Sequence, residues 1–343
     1  MNVKVTGKGL CSPIGDGKGS WERITAETKW YKAAKPDFNK YFEPKSARRT
    51  SNILKMSLVA AYDALNDNHE DISGIMIGTG LGCIGDSEKF LNSMIEFDER
   101  SLSPTPFIQS THNTIAGVIA LKLQVHQYNF TYSDRVFSFE WALLDAMLQL
   151  RETKQPKRFL VGSADEVTPQ THEIAKALGI YNDVSLENND IVSMKSANVI
   201  AGEHAAFFTV SNSNESGVNL QFVKMFFQKT KRDILSSIKI ALRESDIEEP
   251  DCIFIGINGH KAYDKVYNSV LNAFPHSDQA FYKHLSGENL TASSFALWLA
   301  VDCIESRKTP KEICLKQAKS HWKNALVLNH LRNDYFSAIF VSR

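Results

Sequence analysis

The 343-residue chain has no excess of either charge: Lys plus Arg and Asp plus Glu each number 39, so the formal net charge is zero. A protein that grips nucleic acid through its phosphates needs a basic excess, so a general nucleic-acid binder is excluded. Long hydrophobic runs are also missing. No stretch of 18 or more apolar residues occurs, and no membrane span is expected. The opening MNVKVTGKGLCSPIG lacks the apolar core and small-residue cleavage site of a signal peptide, so a cytoplasmic location is expected. Cysteine is sparse. The five (Cys11, Cys83, Cys252, Cys303, Cys314) are scattered and form no Cys-x-x-Cys pair, which excludes a disulfide framework or zinc cluster and suits small reduced core residues. The ten histidines include no His-Glu-x-x-His pattern, so neither a metal nor another cofactor is expected. No linker rich in Pro, Gly and Ser divides the chain.

What is present is ordinary globular composition, 43% hydrophobic and 23% charged, with strand-like and helix-like segments in alternation. That rhythm predicts an α/β architecture. Strands are expected at 2–8, 72–78, 129–134 and 158–162, and helices at 50–66, 84–96, 110–124 and 138–152. In the second half, 205–210 and 218–223 read as paired strands. A helix at 231–243, a buried strand at 252–256, helices at 261–273 and 291–306, and two closing strands at 325–328 and 336–341 follow. The polar segment 181–198 reads as a surface loop. Two similar halves, 1–170 and 171–343, are expected to form one compact unit.

The clearest period lies in 138–152. Phe139, Ala142, Leu143, Ala146, Met147 and Leu150 recur at spacings of three and four, one apolar stripe, while Glu140, Gln149 and Arg151 read as its polar face. Gly80-x-Gly82-x-x-Gly85 matches a dinucleotide fingerprint formally. With no clear βαβ unit and no ribose-binding acid, it reads as the turn leaving a strand.

Four ordered segments resemble the β-ketoacyl synthase branch of the thiolase fold. They are SPTPFIQSTHNTIAGVIALKLQ (103–124), NFTYSDRVFSFEWALLDAMLQL (129–150), FLVGSADEVT (159–168) and AGEHAAFFTVS (201–211). The resemblance implies an α/β thiolase-like fold of five layers, αβαβα, with two pseudosymmetric halves. It also implies a nucleophile elbow at the turn 134–138 and two histidines from the second half. Aligning Ala142 with the family's helix alanine puts Val136 where the family has its cysteine. IFIGINGHKAYD (253–264) puts Asn258 at the first histidine position, and KHLSGE (283–288) puts Glu288 at the second. All three catalytic positions are therefore substituted.

Lys283, Ser138, Phe137, His260 and Asn113 are the retained candidates for the pocket. For Lys283, an active-site role and a plain surface charge stand side by side. His260 reads as a loop histidine, and Glu288 as a carboxylate capping the helix near Thr291. The strand Asn129, Phe130, Thr131, Tyr132, Ser133, Asp134 is where the family pairs two subunits across a two-fold. The resemblance thus implies a non-catalytic subunit of the chain-length-factor type. Its expected partners are an active ketosynthase (or a second copy of itself) and an acyl-carrier protein, in fatty acid or polyketide synthesis of the aryl-polyene pigment kind. Two readings stay open: a non-covalent acyltransferase or malonyl-thioester decarboxylase using Asn258 as an oxyanion donor, and a module that sequesters acyl-carrier protein.

Overall fold

Short apolar runs such as Ile75–Ile77 and Ile253–Ile255 become strands buried on both faces, as a sheet covered by helices on each side requires. The computed structural model describes residues 2–19, 29–48, 50–66, 68, 71–181, 199–332 and 334–343. Most of the polar segment at 181–198 lies outside them.

Eleven strands are described: β1 (Lys4–Cys11), β2 (Gly74–Gly78), β3 (Tyr128–Tyr132), β4 (Arg158–Asp165), β5 (His204–Ser211), β6 (Val218–Phe227), β7 (Cys252–Ile255), β8 (Asp278–Phe281), β9 (Cys314–Lys316), β10 (Asn324–Leu331) and β11 (Tyr335–Ser342). Their order is β3-β2-β4-β5-β1-β6-β11-β10-β7-β8-β9. The arrangement contains the same set twice. In β3-β2-β4-β5-β1, β2 is parallel to β3 and β4, and β5 is antiparallel to β4 and β1. In β8-β7-β10-β11-β6, β7 is parallel to β8 and β10, and β11 is antiparallel to β10 and β6. β9 is an added edge strand. Among the described residues the two sets are joined where Lys4 and Val5 of β1 pair with Asn219 and Val218 of β6, with the Leu220 amide on the Val3 carbonyl beside them.

Three apolar clusters separate five layers. The first cluster lies under the helix Asn52–Leu65 and the helix Thr114–Leu123, on one side of the first set of strands. The second surrounds the helices Ser138–Glu152 and Ala292–Ser306, sandwiched between the sets. The third lies under Lys231–Glu244 and Asn268–Ala273. This is the thiolase-like αβαβα architecture. Close approach of the first outer helix needs glycine in β1: a Cβ on Gly9 would come within 2.0 Å of the Ala60 carbonyl oxygen.

Several expectations need correction. Strands β5 and β6 are not partners, because β1 runs between them and pairs with both. β5 completes the first set, so the change of set falls between Ser211 and Val218, downstream of the expected boundary at 170. The helix expected from 110 starts at Thr114, after a separate short helix, Pro104–Gln109, that proline opens at its first turn. The helix expected at 261–273 is two pieces, Lys261–Asp264 and Asn268–Ala273. Polar Asp278 and Lys316 hid the strands β8 and β9, since the burial of Asp278 is satisfied by the Ala318 and Lys319 amides and the Trp322 indole.

Candidate active site

The turn leaving β3 is tight. Arg135 holds φ at +49°, a left-handed conformation that costs a side-chain-bearing residue about 1–2 kcal/mol. A single 3-10 turn, Arg135–Phe137, then feeds the helix Ser138–Glu152. Val136 sits at its centre, 1% exposed. Ser138 is buried, and its hydroxyl donates to the Arg135 carbonyl at 2.7 Å while accepting the Asp134 amide at 2.9 Å. That hydroxyl braces the turn. Phe137 packs edge-on to Tyr335 at 5.2 Å, and Arg135 reaches the Tyr335 hydroxyl at 3.3 Å. Ser133 and Asp134, expected in the strand, lie in this turn. The Asp134 carboxylate accepts the Trp141 indole N–H at 2.9 Å, and the Asp134 carbonyl accepts the Phe137 amide at 2.9 Å.

A second group assembles from the other half. Lys283 is 1% exposed and its ammonium binds Glu288 at 2.8 Å. The Asn258 side-chain amide donates to the same Glu288 oxygen at 2.7 Å. Lys283 is therefore no surface charge. Glu288 does not cap the helix after Thr291, as expected, because its carboxylate is taken by Lys283 and Asn258. Its backbone is fixed by a bridge to Ala201, with the Glu288 amide on the Ile200 carbonyl at 2.7 Å and the Gly202 amide on the Glu288 carbonyl at 3.0 Å. The segments touch so closely that a Cβ on Gly202 would lie 1.8 Å from the Ser286 carbonyl oxygen. The loop carrying Asn258 is held by Asp264, which accepts the Asn258 and Gly259 amides at 3.2 Å each and the His330 ring N–H at 3.1 Å. His260 turns aside and stacks on Tyr263 at 3.9 Å. Asn113 is exposed and accepts the Thr111 hydroxyl at 2.7 Å.

Glu140 links the two groups, and sequence reasoning misplaced it. It was expected on a solvent face, yet it is 0% exposed. The helix lies in the central layer, and the side carrying Glu140, Leu143 and Met147 is buried there, while Trp141, Leu148, Arg151 and Glu152 on its other side are exposed. One Glu140 oxygen accepts the Ser337 hydroxyl at 2.6 Å, and the other has no hydrogen-bond partner among the described residues. Burial pushes Glu140 up to about 7, opposed first by the Ser337 hydroxyl, then by the nearby Ser293 hydroxyl, and least by the Lys283 ammonium. The available signal was its spacing, three and seven residues before Leu143 and Met147 of the apolar stripe.

None of the cysteines supplies a thiolate near neutral pH. Burial is the first cause of the raised thiol in every case: Cys314 stands at about 11, Cys11 at about 12, and Cys83, Cys252 and Cys303 higher. His204 is fully buried and pushed down to about 4 by desolvation, hence neutral. It accepts the Asn289 amide at one ring nitrogen and meets Ser294 at 2.8 Å through the other. In the glycine-rich turn 78–85, acidic side chains already take amides that a phosphate would need. Asp165 accepts the Gly80 and Leu81 amides at 2.9 and 3.3 Å, and Glu166 accepts that of Gly85 at 3.0 Å. Among the described residues, no group of three His, Cys, Asp or Glu is placed to hold a metal ion, and no helix is long and apolar enough to cross a membrane.

β3 is the outermost strand of its set, with Tyr128 and Phe130 exposed. Of the fifteen large hydrophobic residues exposed among those described, Tyr128 and Phe130 lie on β3 itself, and Leu121, Trp141 and Leu148 on the two helices that pack against it. Monomeric surfaces seldom concentrate apolar groups in this way.

Comparison with known proteins places this geometry. The sequence pattern described as "Beta-ketoacyl synthase, N-terminal domain" matches residues 20–234. No curated protein matches in sequence. Among solved structures, the ishigamide ketosynthase/chain length factor is similar at TM-score 0.80 and 14% identity, covering 99% of this chain and 98% of its own. A beta-ketoacyl synthase from Burkholderia phymatum STM815 gives 0.80 and 14%, covering 100% and 99%. The ketosynthase complex AntDE:AntF, with a type II polyketide acyl-carrier protein, gives 0.75 and 15%, covering 99% and 98%. With more than half of its length inside the family pattern, and the fold shared end to end, this chain belongs to the β-ketoacyl synthase family.

Proposed function

We propose that this protein is a non-catalytic, chain-length-factor-type subunit that pairs with an active ketosynthase in fatty acid or polyketide synthesis, of the kind that makes aryl-polyene pigments. The observation that carries the reading is the elbow: a strained, buried strand-to-helix turn is kept, and valine stands at its centre. Covalent acyl transfer needs a nucleophile there, and Val136 offers none. Asn258 and Glu288, where the family has histidines, bind each other and Lys283 instead of facing a substrate. The named relationship of one structural relative, a ketosynthase joined with a chain length factor, supports the same assignment.

Pairing would use the free edge of β3, with Asn129, Phe130 and Thr131 at its centre and the apolar belt around it. Exposed Lys32, Lys35, Lys45 and Arg48 offer a basic face to an acidic acyl-carrier protein, although Lys40 nearby is paired with Asp63 at 2.7 Å. The non-covalent enzyme reading is not favoured, because the Asn258 amide is already donated to Glu288. The experiment is co-expression with an active ketosynthase as the candidate partner, followed by assay of the purified species. A stable 1:1 complex whose products lengthen or shorten on substitution at Phe130 is the expected result. An isolated chain that condenses or decarboxylates malonyl carrier protein by itself refutes the proposal.

A further inference from the structure

Two consecutive carboxylates at the end of β4 hold different things. Asp165 fixes the glycine-rich turn through the Gly80 and Leu81 amides. Glu166 fixes the start of the next helix, Ile84–Glu96, through the Gly85 amide at 3.0 Å. That helix is thinly packed. Asp86 is its one buried residue, and its chief neighbour is the short helix Pro104–Gln109, with the Phe90 and Phe107 rings 5.0 Å apart. Leu91 and Ile95 on the first helix and Phe107 and Ile108 on the second stay exposed. Helices in proteins draw most of their stability from a buried apolar face, and this one has little. Its hold on the sheet therefore rests largely on polar contacts, Gly85 to Glu166 and Glu88 to the Thr168 hydroxyl.

The Glu166 contact sits in an acidic cluster. One oxygen of buried Asp86 is 3.5 Å from the Lys89 ammonium, and the other has no hydrogen-bond partner among the described residues. Glu203, just ahead of β5, adds another buried carboxylate, which takes the Trp30 indole N–H at 2.9 Å and the Ala33 amide at 3.3 Å. Lys32 and His172 face the Trp30 ring at 5.2 and 5.3 Å. Cys83 is buried at the helix start, and the His112 backbone lies against Gly82. Burial is the first cause of the rise of Glu166 to about 7. The Gly85 amide opposes it, Asp86 and then Glu203 add to it, and Lys89 opposes it least.

We propose that Glu166 is a pH-sensitive latch on the helix Ile84–Glu96. Protonated, it keeps the helix start seated on the end of the sheet. Ionised beside Asp86 and Glu203, it favours release of the helix pair and of the apolar face that the pair carries. Release returns the carboxyl to water and to an ordinary 4.5. Below 4.5 both forms hold the proton, and pH has no effect. Between 4.5 and about 7 release gives up the proton, so the released form gains as pH rises, and above 7 the gain is complete. From pH 6 to pH 8 the released population should rise by at most about tenfold.

Hydrogen exchange on the full chain at pH 6 and pH 8, corrected for the intrinsic rate of each amide, reads the released fraction from Asp86 to Glu96. The outer helix Lys231–Glu244, whose Asp233 and Glu244 are exposed, serves as the reference. Relative to it, opening of Ile84–Glu96 should rise at least about threefold, and up to about tenfold, between the two pH values. Glu166→Gln keeps an acceptor for the Gly85 amide and removes the titration, so it should lose more than half of that rise. Circular dichroism checks its fold. If it does not fold, Asp86→Asn takes its place, because it removes the stronger of the two charges that raise Glu166, and the same loss is expected. A smaller rise in the parent, or a folded variant that keeps more than half of it, overturns the proposal.

Discussion

Glu140→Gln isolates the proton held at the centre of the molecule. Glu140 moves from an ordinary 4.5 to about 7 on folding, with burial the main cause. A carboxyl raised in this way keeps its proton in the folded state after the unfolded chain has lost it. Below 4.5 both states are protonated and the group contributes nothing. Between 4.5 and about 7 the folded state pays an increasing cost, so stability falls as pH rises, and above 7 the loss is complete. The interval corresponds to about 3 kcal/mol at 1.36 kcal/mol per pH unit. Glutamine removes this titration and still accepts the Ser337 hydroxyl. Its amide N–H groups then lie where one Glu140 oxygen has no partner, a cost of about 1 kcal/mol. The variant should therefore be more stable than the parent by about 2 kcal/mol at pH 8, and less stable by about 1 kcal/mol at pH 4.5. Urea unfolding at pH 4.5, 6 and 8 and fixed ionic strength measures both, and the comparison cancels other buried acids such as Glu166, which also stands at about 7. A stability difference that stays constant with pH would mean that Glu140 does not change protonation on folding, and the reasoning would be wrong.

Lys283→Met leaves the buried Glu288 carboxylate without its cation and should cost about 3–5 kcal/mol, whereas Lys283→Met with Glu288→Leu should recover most of that loss; denaturant unfolding of the single and double variants decides it. Gly202→Ala pushes a methyl onto the Ser286 carbonyl and should destabilise by about 1–3 kcal/mol, read as a lower urea midpoint. Val136→Cys restores a thiol at the elbow without the histidines, so it should yield no condensation product from acyl and malonyl carrier proteins, as followed by mass spectrometry. Phe130→Lys places a charge in the middle of the β3 edge, and sedimentation should show the complex with the partner ketosynthase weakened at least tenfold.

Much of the scaffold was legible because its signals are local. The alternating apolar runs located most strands, and the three-and-four spacing from Phe139 to Leu150 located the central helix to the residue. The internal duplication was not legible, since strand order is a property of pairing and the two sets share no repeated sequence. Asp278 and Lys316 hid edge strands because their partners are backbone amides and side chains tens of residues away. At the site, the substitutions at Val136, Asn258 and Glu288 were visible from the ordered motifs. What they do was not. Glu288 looked like a cap because Thr291 follows it, and only the close approach of Gly202 to Ser286 shows that this carboxylate points into the interior. Glu140 looked solvent-facing because it was grouped with Gln149 and Arg151, whereas the wet face of this helix runs through Trp141, Leu148 and Glu152 and Glu140 lies with Leu143 and Met147 on the buried side.

The buried charges argue for how such a pocket survives without catalysis. Taking an isolated ion out of water is prohibitive, so a site stripped of its reacting groups must either fill with apolar side chains or balance what remains. Here the balance is local: Lys283 opposes Glu288, Asn258 supplies a hydrogen bond to the same oxygen, and Glu140 holds its proton up to about pH 7. One oxygen of each carboxylate is engaged in this way, while the second oxygens of Glu140 and Glu288 have no hydrogen-bond partner among the described residues. On the proposed reading, the fold is then retained for what lies outside the pocket, and the surface agrees. Tyr128 and Phe130 on the edge strand β3, and Leu121, Trp141 and Leu148 on the helices packed against it, are exposed. The elbow helix joins the two regions, with Glu140 buried against the second half while Trp141 and Leu148 are exposed beside β3. The folded subunit gives up the Glu140 proton only around pH 7, one helix-width from the pairing surface, so a change in the affinity of the complex with pH should centre there and should be absent in Glu140→Gln, as sedimentation at pH 6 and 8 would show.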